Sequence, residues 1–363
     1  MHPQGSVIFV KRIKRIRNIF NSINADGIII CSPNNRRYLS GFTGSAGFLL
    51  ISNNEMGFAT DFRYVKQAEK ECANFEIFEI KFQPEVFLSE IIKKYNIRSL
   101  AYEDSFMTVS FYNKLRSKLS EIDFVPLKES EGIIRIIKDE NELKFIEKAA
   151  KIADNAFAHV LGFVKPGVSE RDIALELEYF MKRNGASKLS FDSIVASGKR
   201  SSLPHGIATD KIIERGDFLT LDFGCVYNGY CSDMSRTIVV GKADAKQKEI
   251  YDTVLRAQLE ALTYIKAGVL GKDVDKAARD IIRDAGYGDY FGHGLGHGVG
   301  LAIHEEPRLS LSGDKILEKN MVVTDEPGIY IPDYGGVRIE DLVVVGENKP
   351  IVLSKSIKEL IEL

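Results

Sequence analysis

The stretch FLTLDFGCVYNGYCSD, residues 218–233, decides the fold. Its Asn228-Gly229 pair is the signature of a two-residue type I′ turn, which pairs Tyr227 with Tyr230 and sets position 224 opposite position 233. Asp222 lies two residues from Gly224 on the same strand face. Asp222 and Asp233 are therefore diagonal neighbours across a hairpin, roughly 7–8 Å apart between backbones and closer at their carboxylates. Both sit among strand-forming apolar residues, Phe218 to Leu221 before one and Thr237 to Val240 after the other. A carboxylate buried there is costly unless a cation neutralises it, so the hairpin predicts a metal site. Two solvent-facing strand acids are the plainer alternative, and a second acidic pair downstream weighs against it.

That second pair belongs to an internal repeat. Lys165-Pro166-Gly167-Val168 followed by Asp172 returns as Lys266-Ala267-Gly268-Val269 followed by Asp273, and Gly185 returns as Gly286, each 101 positions on (165 to 266, for example). Each copy then reaches a two-stranded segment bearing two acids, Asp222 and Asp233 in the first and Glu326 and Glu340 in the second. The duplication predicts two helix-helix-hairpin units about a pseudo-twofold axis, with both acid pairs at a shared centre.

Between the hairpins runs His293-Gly294-Leu295-Gly296-His297-Gly298-Val299-Gly300, with His304-Glu305 close behind. Four glycines in eight residues exclude a stable helix and predict an extended segment. In a strand His293 and His297 face the same way, so one could bind metal while the other acts on substrate; spacing alone does not choose between them. Arg338 and Glu340 likewise alternate onto one face, which puts a guanidinium beside a candidate ligand. Carboxylates with one imidazole favour Mn²⁺, Co²⁺, Fe²⁺ or Zn²⁺ over a thiolate zinc site. Two such ions roughly 3.5–4 Å apart would activate a water and stabilise the oxyanion of an amide under attack. His2 and His159 read as incidental.

The remaining sequence frames this centre. Of 363 residues, 44% are hydrophobic, enough for two globular domains, and the net charge of −2 gives no electrostatic case for a nucleic-acid partner. No apolar run is long enough to span a bilayer. The basic, isoleucine-spaced segment from Val10 to Phe20 reads as an amphipathic surface helix leading into the strand Ile28 to Cys31, and not as a transit peptide. Short strands at Phe48–Ile51, Gly57–Thr60, Phe75–Ile80 and Ser99–Tyr102 alternate with helices, predicting a small α/β domain over 1–130. Lys138-Asp139-Glu140-Asn141-Glu142 supplies a capped helix start that opens the second domain, 137–363. The four cysteines contain no C-x-x-C pair and read as buried thiols of a reducing compartment, the cytoplasm by default.

Taken together, Leu221-Asp222-Phe223-Gly224 with an aspartate eleven residues on, the His293 to His304 block, Glu326-Pro327-Gly328-Ile329-Tyr330 and Arg338-Ile339-Glu340-Asp341 resemble the motifs, in order, of the pita-bread metallopeptidases. That family comprises methionine aminopeptidase, Xaa-Pro aminopeptidase and prolidase, with creatinase as a metal-free relative. The resemblance implies a creatinase-like N-terminal α/β domain followed by a pseudo-twofold pita-bread α+β catalytic domain. It assigns Asp222, Asp233, His297, Glu326 and Glu340 to two metal ions, Mn²⁺ foremost. It assigns catalytic roles to His205, His293 and His304, with Arg338 and Tyr330 as a supporting pair. Arg37 to Ser45 and Thr60 to Tyr64 are similar to the corresponding region of Xaa-Pro aminopeptidases. The expected substrates are therefore peptides with proline in second position, the expected activity Xaa-Pro aminopeptidase with Xaa-Pro dipeptidase as the alternative, and the expected assembly a homodimer. A non-enzymatic binding module of this fold would usually have lost ligands, and none is missing here.

Overall fold

The computed structural model describes residues 3–128 and 133–363, and its contacts divide the chain between Arg135 and Ile136. His2 and residue 130, the expected end of the first domain, lie outside the described residues.

The N-terminal unit is a six-stranded mixed sheet in the order β4-β3-β2-β1-β5-β6, formed by Gly27–Ile30 (β1), Phe48–Ser52 (β2), Met56–Thr60 (β3), Glu76–Glu79 (β4), Ser99–Tyr102 (β5) and Asp123–Pro126 (β6). The five strands expected from sequence, Ile28 to Cys31 among them, are present within a residue or so, and β6 is added to them. The first helix, Pro3–Ser22 (α1), buries Ile13, Ile16 and Phe20 and leaves its lysines in solvent, as its spacing predicts.

In the second unit the helices are Glu140–Val160 (α6), Glu170–Arg183 (α7), Ala245–Tyr264 (α8) and Gly271–Asp284 (α9), after Pro33–Ser40 (α2), Val65–Glu71 (α3), Pro84–Lys94 (α4) and Val109–Lys118 (α5) of the first. Asp139 caps α6 and Glu142 closes the capping box, so the sequence marked this helix start correctly. The strands are Lys188–Leu189 (β7), Ile194–Ser197 (β8), Phe218–Phe223 (β9), Cys225–Tyr227 (β10), Tyr230–Cys231 (β11), Met234–Val239 (β12), Gly296–Gly298 (β13), Glu305–Leu309 (β14), Val322–Asp325 (β15), Gly328–Ile331 (β16), Gly335–Arg338 (β17), Asp341–Val344 (β18) and Ile351–Val352 (β19).

The duplication is visible bond by bond. Gly167 N donates to Ile213 O and Ile213 N to Val168 O; in the second copy Gly268 N donates to Leu317 O and Leu317 N to Val269 O. Gly167, Gly185, Gly268 and Gly286 all take positive φ, between 85° and 103°, which explains glycine at matched positions. Each half carries its own core, one around α6, α7 and β9, the other around α8, α9 and β15.

Turn chemistry sets the first hairpin as expected: Asn228 (φ 47°) and Gly229 (φ 89°) make the turn, Tyr227 pairs with Tyr230, and the same register continues to Phe223–Met234 and Asp222–Ser235. In the second hairpin Asp325 pairs with Asp341 and Gly328 with Arg338. The break between these ladders holds Glu326 and Glu340, which face each other directly. The two acid pairs are thus not equivalent: Asp222 matches Glu326, but Glu340 matches Ser235, and Arg338 matches Asp233. Among the described residues no helix is long and apolar enough to cross a membrane.

Candidate functional site

All ten residues singled out by sequence line one cavity of about 790 Å³ in the C-terminal unit. Asp222 projects from the end of β9, Asp233 from just before β12, His297 from the middle of β13, and Glu326 and Glu340 from the break between the second hairpin's ladders. Ligand atoms of Asp233, His297 and Glu340 lie within 4.8 Å of one another. His297 Nε2 is 3.6 Å from Asp233 Oδ2 and 3.3 Å from Glu326 Oε1. The structure thus sets His297, and not His293, against the carboxylates, a choice that spacing left open. The extended segment is shorter than expected. Only Gly296–Gly298 forms a strand, and His293 sits in the bend before it.

Neighbouring groups orient Asp222, His297, Glu326 and Glu340. Arg338 Nη2 donates to Asp222 Oδ2 at 2.7 Å, its Nε to Ser235 Oγ at 2.7 Å and its Nη1 to Tyr330 Oη at 2.8 Å. Ser235 Oγ donates in turn to Glu340 Oε2 at 2.7 Å. Thr324 Oγ1 donates to Glu326 Oε1 at 3.0 Å and accepts from His297 N at 3.0 Å. His297 Nδ1 lies 3.1 Å from Gly298 O, so it carries the proton and leaves Nε2 as the free donor to a metal. Ser235 and Thr324 were not singled out from sequence, although Ser235 shares a β12 face with Asp233 by simple alternation.

The electrostatics are those of a site suited to a cation. Burial, then the neighbouring carboxylates, hold Asp233 and Glu340 well above the usual carboxylate range. Burial pushes Glu326 up to about 7, against the pull of Arg338. Burial also raises Asp222, with Arg338 opposing. Burial lowers His297 to about 3 and His293 to about 4, so both imidazoles are neutral near pH 7. Asp222 Oδ1 is buried with no hydrogen-bond partner among the described residues. Four converging carboxylates, a neutral imidazole with a free Nε2 and one orphaned oxygen fit divalent cations, and fit nothing else the chain itself supplies.

The flanking residues divide by their hydrogen bonds. Arg338 donates to Tyr330 Oη, which lies 2.9 Å from His293 Nε2, while His293 Nδ1 is 2.8 Å from Gly294 O. Tyr330 therefore donates onward to His293, whose two nitrogens are both engaged. The rings of His205 and His304 carry no side-chain hydrogen bond among the described residues and face the cavity. Incidental His159 instead pairs with Glu176 at 2.6 Å and stacks on Phe180, away from the centre.

Arg308, also unanticipated, lines the same cavity. It stands directly opposite His297 across the β13–β14 ladder, and cross-strand partners share a sheet face. Among the described residues its guanidinium has no anionic partner. A bulge between His297 and Gly298 sets this register, and a sequence pattern does not reveal that.

Fold and site together define a metal-dependent peptidase. Residues 144–347 match the model of metallopeptidase family M24, and residues 12–137 match the creatinase/prolidase N-terminal domain. The chain belongs to metallopeptidase family M24, in its Xaa-Pro peptidase group. It is 41% identical over 356 residues to an Xaa-Pro dipeptidase of Pyrococcus horikoshii, covering 98% of this chain and 99% of that one. An Xaa-Pro dipeptidase structure from Bacillus anthracis superimposes with a TM-score of 0.94 at 47% identity, covering 98% of this chain and 100% of the other. An X-Pro aminopeptidase structure from Thermotoga maritima gives 0.89 at 38% identity, covering 97% and 99%.

Proposed function

We propose that this chain hydrolyses the bond between an N-terminal residue and a following proline, using two divalent cations held by Asp222, Asp233, His297, Glu326 and Glu340. The observation that carries the reading is the convergence of these five side chains, four of them oriented by hydrogen-bonded neighbours, in one cavity with His205, His293 and His304. When bound, the ions supply Lewis acidity and a water of lowered pKa. Mn²⁺ is the leading candidate from the oxygen-rich donor set.

The chain's own residues supply the rest. Arg338 fixes Asp222 and Tyr330, and Ser235 fixes Glu340, so the carboxylates enter the reaction already aimed. His205 and His304 have ring nitrogens free to hydrogen-bond the scissile carbonyl oxygen and stabilise charge developing there. His293, locked between Tyr330 and Gly294, contributes a neutral wall. An Xaa-Pro bond has no N–H, so a site for it needs no acceptor at that position.

Between the two exopeptidase readings, Arg308 favours the dipeptidase, reversing the order expected from sequence. Its unpaired guanidinium beside His297 is placed for the free carboxylate of an Xaa-Pro dipeptide, which a longer peptide carries farther from the scissile bond. The deciding experiment compares Xaa-Pro, Xaa-Pro-amide and Xaa-Pro-Xaa peptides with Mn²⁺ and after chelation. Absence of both metal and turnover would point instead to a binding module. We further propose a homodimer, tested by sedimentation, and residence in the cytoplasm, supported by four free cysteines.

A further inference from the structure

Directly behind His304 lies an ion pair that the chemistry above does not use. Glu305 Oε2 and Lys138 Nζ are 3.4 Å apart, and both side chains are completely buried. Burying two charges costs several kcal/mol per ion in desolvation, and apolar residues of equal volume would commonly give a fold at least as stable. Stability is therefore a poor reason for the pair.

Its contacts point to placement. Glu305 opens β14, so its side chain points inward where that of His304, one residue earlier, faces the cavity. Glu305 Oε1 accepts from Ala302 N at 3.0 Å, Gly300 N donates to Ala302 O at 3.0 Å, and Cys231 N donates to Gly300 O at 2.8 Å. The carboxylate thus ties down the turn from Gly300 to His304 from beneath. A Cβ on Gly300 would come within 2.5 Å of Glu305 Oε2, so glycine there leaves room for the carboxylate. Lys138 N donates to Asn320 O at 2.9 Å, and the residue immediately precedes the cap of α6, which anchors the cation in the core. The His304 ring, at the end of this chain of contacts, packs edge-on against His297 with centroids 4.3 Å apart.

We propose that Glu305 is a positioning residue that sets His304 against the metal-binding centre through the Ala302 N–H, and that Lys138 makes its buried charge tolerable. This rests on the Xaa-Pro peptidase reading, because His304 matters for turnover only there. The test is the apolar pair K138M/E305L beside the conservative pair K138M/E305Q, which keeps an acceptor for Ala302 N and no longer needs the cation. In the full-length protein K138M/E305L should keep its metal content and melting temperature. It should lose about 100-fold in kcat, the scale expected of a misplaced catalytic group, with KM changed less than about threefold. Its crystals should show the His304 ring displaced from His297, and K138M/E305Q should restore both ring and rate. In an H304A background K138M/E305L should cost nothing further. An unmoved ring, or an equal loss with and without His304, overturns the proposal. Should K138M/E305L not fold, G300A, which crowds the carboxylate directly, must displace the same ring. A parent enzyme that cleaves no Xaa-Pro peptide would sink the functional reading instead, and the ring position would still judge the positioning claim.

Discussion

Arg338 Nη2 lies 2.7 Å from Asp222 Oδ2, a buried contact that joins the two halves of the duplicated domain. Arg338 occupies the position in its hairpin that Asp233 occupies in the other, so one half places a base where its counterpart places an acid. That exchange leaves four carboxylates and one fixed cation, where a strict copy of the first hairpin would leave four acids and no cation. Burial alone would disfavour the charge on Arg338, but Tyr330, Asp222 and the two glutamates around it hold its pKa well above the ordinary value. Replacing it with methionine should lower the stability of the metal-free protein by about 3 kcal/mol, as expected when one partner of a buried ion pair is removed. Urea unfolding after chelation measures this, and metal content per chain should fall as Asp222 loses its orientation.

The crowded carboxylates also set a pH dependence. A carboxyl whose pKa is higher folded than unfolded binds more protons when folded, so its contribution is complete below the unfolded pKa and is lost as pH rises through the folded one. Glu326, raised from 4.5 to about 7, is such a group, and Asp233 and Glu340 move in the same direction. His293 and His297, lowered to about 4 and about 3, oppose this below the ordinary histidine pKa, because they charge on unfolding. The window free of that opposition lies above about pH 6.5. Glu326 alone should cost the metal-free protein about 1.4 kcal/mol between pH 6 and 9, nearly all of it below pH 8, and Asp233 and Glu340 add to the loss in the same direction. Saturating Mn²⁺ should flatten or invert the slope, since the ion binds ionised ligands. A denaturant midpoint that rises with pH in the chelated protein would contradict the assignment.

Asp233 has the most like-charged company, with Glu340, Asp222 and Glu326 all raising its pKa. D233N should therefore stabilise the metal-free fold above pH 7 while weakening metal binding, by about 10-fold or more in affinity. Calorimetric titration with Mn²⁺ and melting of the chelated variant test the two halves of this statement separately.

For Arg308 the relevant measure is a ratio. A charge-assisted hydrogen bond is worth about 1.5–3 kcal/mol. R308M should thus raise KM for an Xaa-Pro dipeptide by about 10- to 100-fold and change it little for the matching amide, which has no carboxylate to lose. Equal effects on both substrates would remove the support that Arg308 gives the dipeptidase reading.

The sequence disclosed those parts of the site that depend on local rules. Asn228-Gly229 fixed a register, and that register placed Asp222 and Asp233 diagonally across a hairpin. The repeated Lys-x-Gly-Val segments disclosed the duplication because a positive φ at Gly167 and Gly268 demands the same residue twice. Contacts between distant segments stayed hidden. Arg308 meets His297 only through a bulged ladder, and Ser235 meets Glu340 only where the hairpins cross. His297 was separable from His293 by the family resemblance but not by spacing, since the two differ in surroundings rather than in pattern.

The glycines around His297 show what spacing conceals. None of Gly294, Gly296, Gly298 and Gly300 has a positive φ, so backbone freedom does not account for them. Close approach does. A Cβ on Gly296 would stand 2.1 Å from Thr324 O, and one on Gly298 2.1 Å from Glu306 O, both immovable backbone atoms of the flanking strands. β13 is squeezed between β14 and β15, and only a strand without side chains on either side of His297 lets that ring reach Asp233 and Glu340. G296A must push β13 from β15, breaking the His297 N to Thr324 Oγ1 bond and with it the seat of Glu326. Its cost should fall in the overpacking range of about 1–3 kcal/mol. The loss of metal should exceed what that destabilisation explains, because two of the proposed ligands shift together. Metal analysis of G296A, compared with an equally destabilising substitution in the distant core such as I282V, isolates that excess; equal metal content in the two variants would refute the strand-packing account.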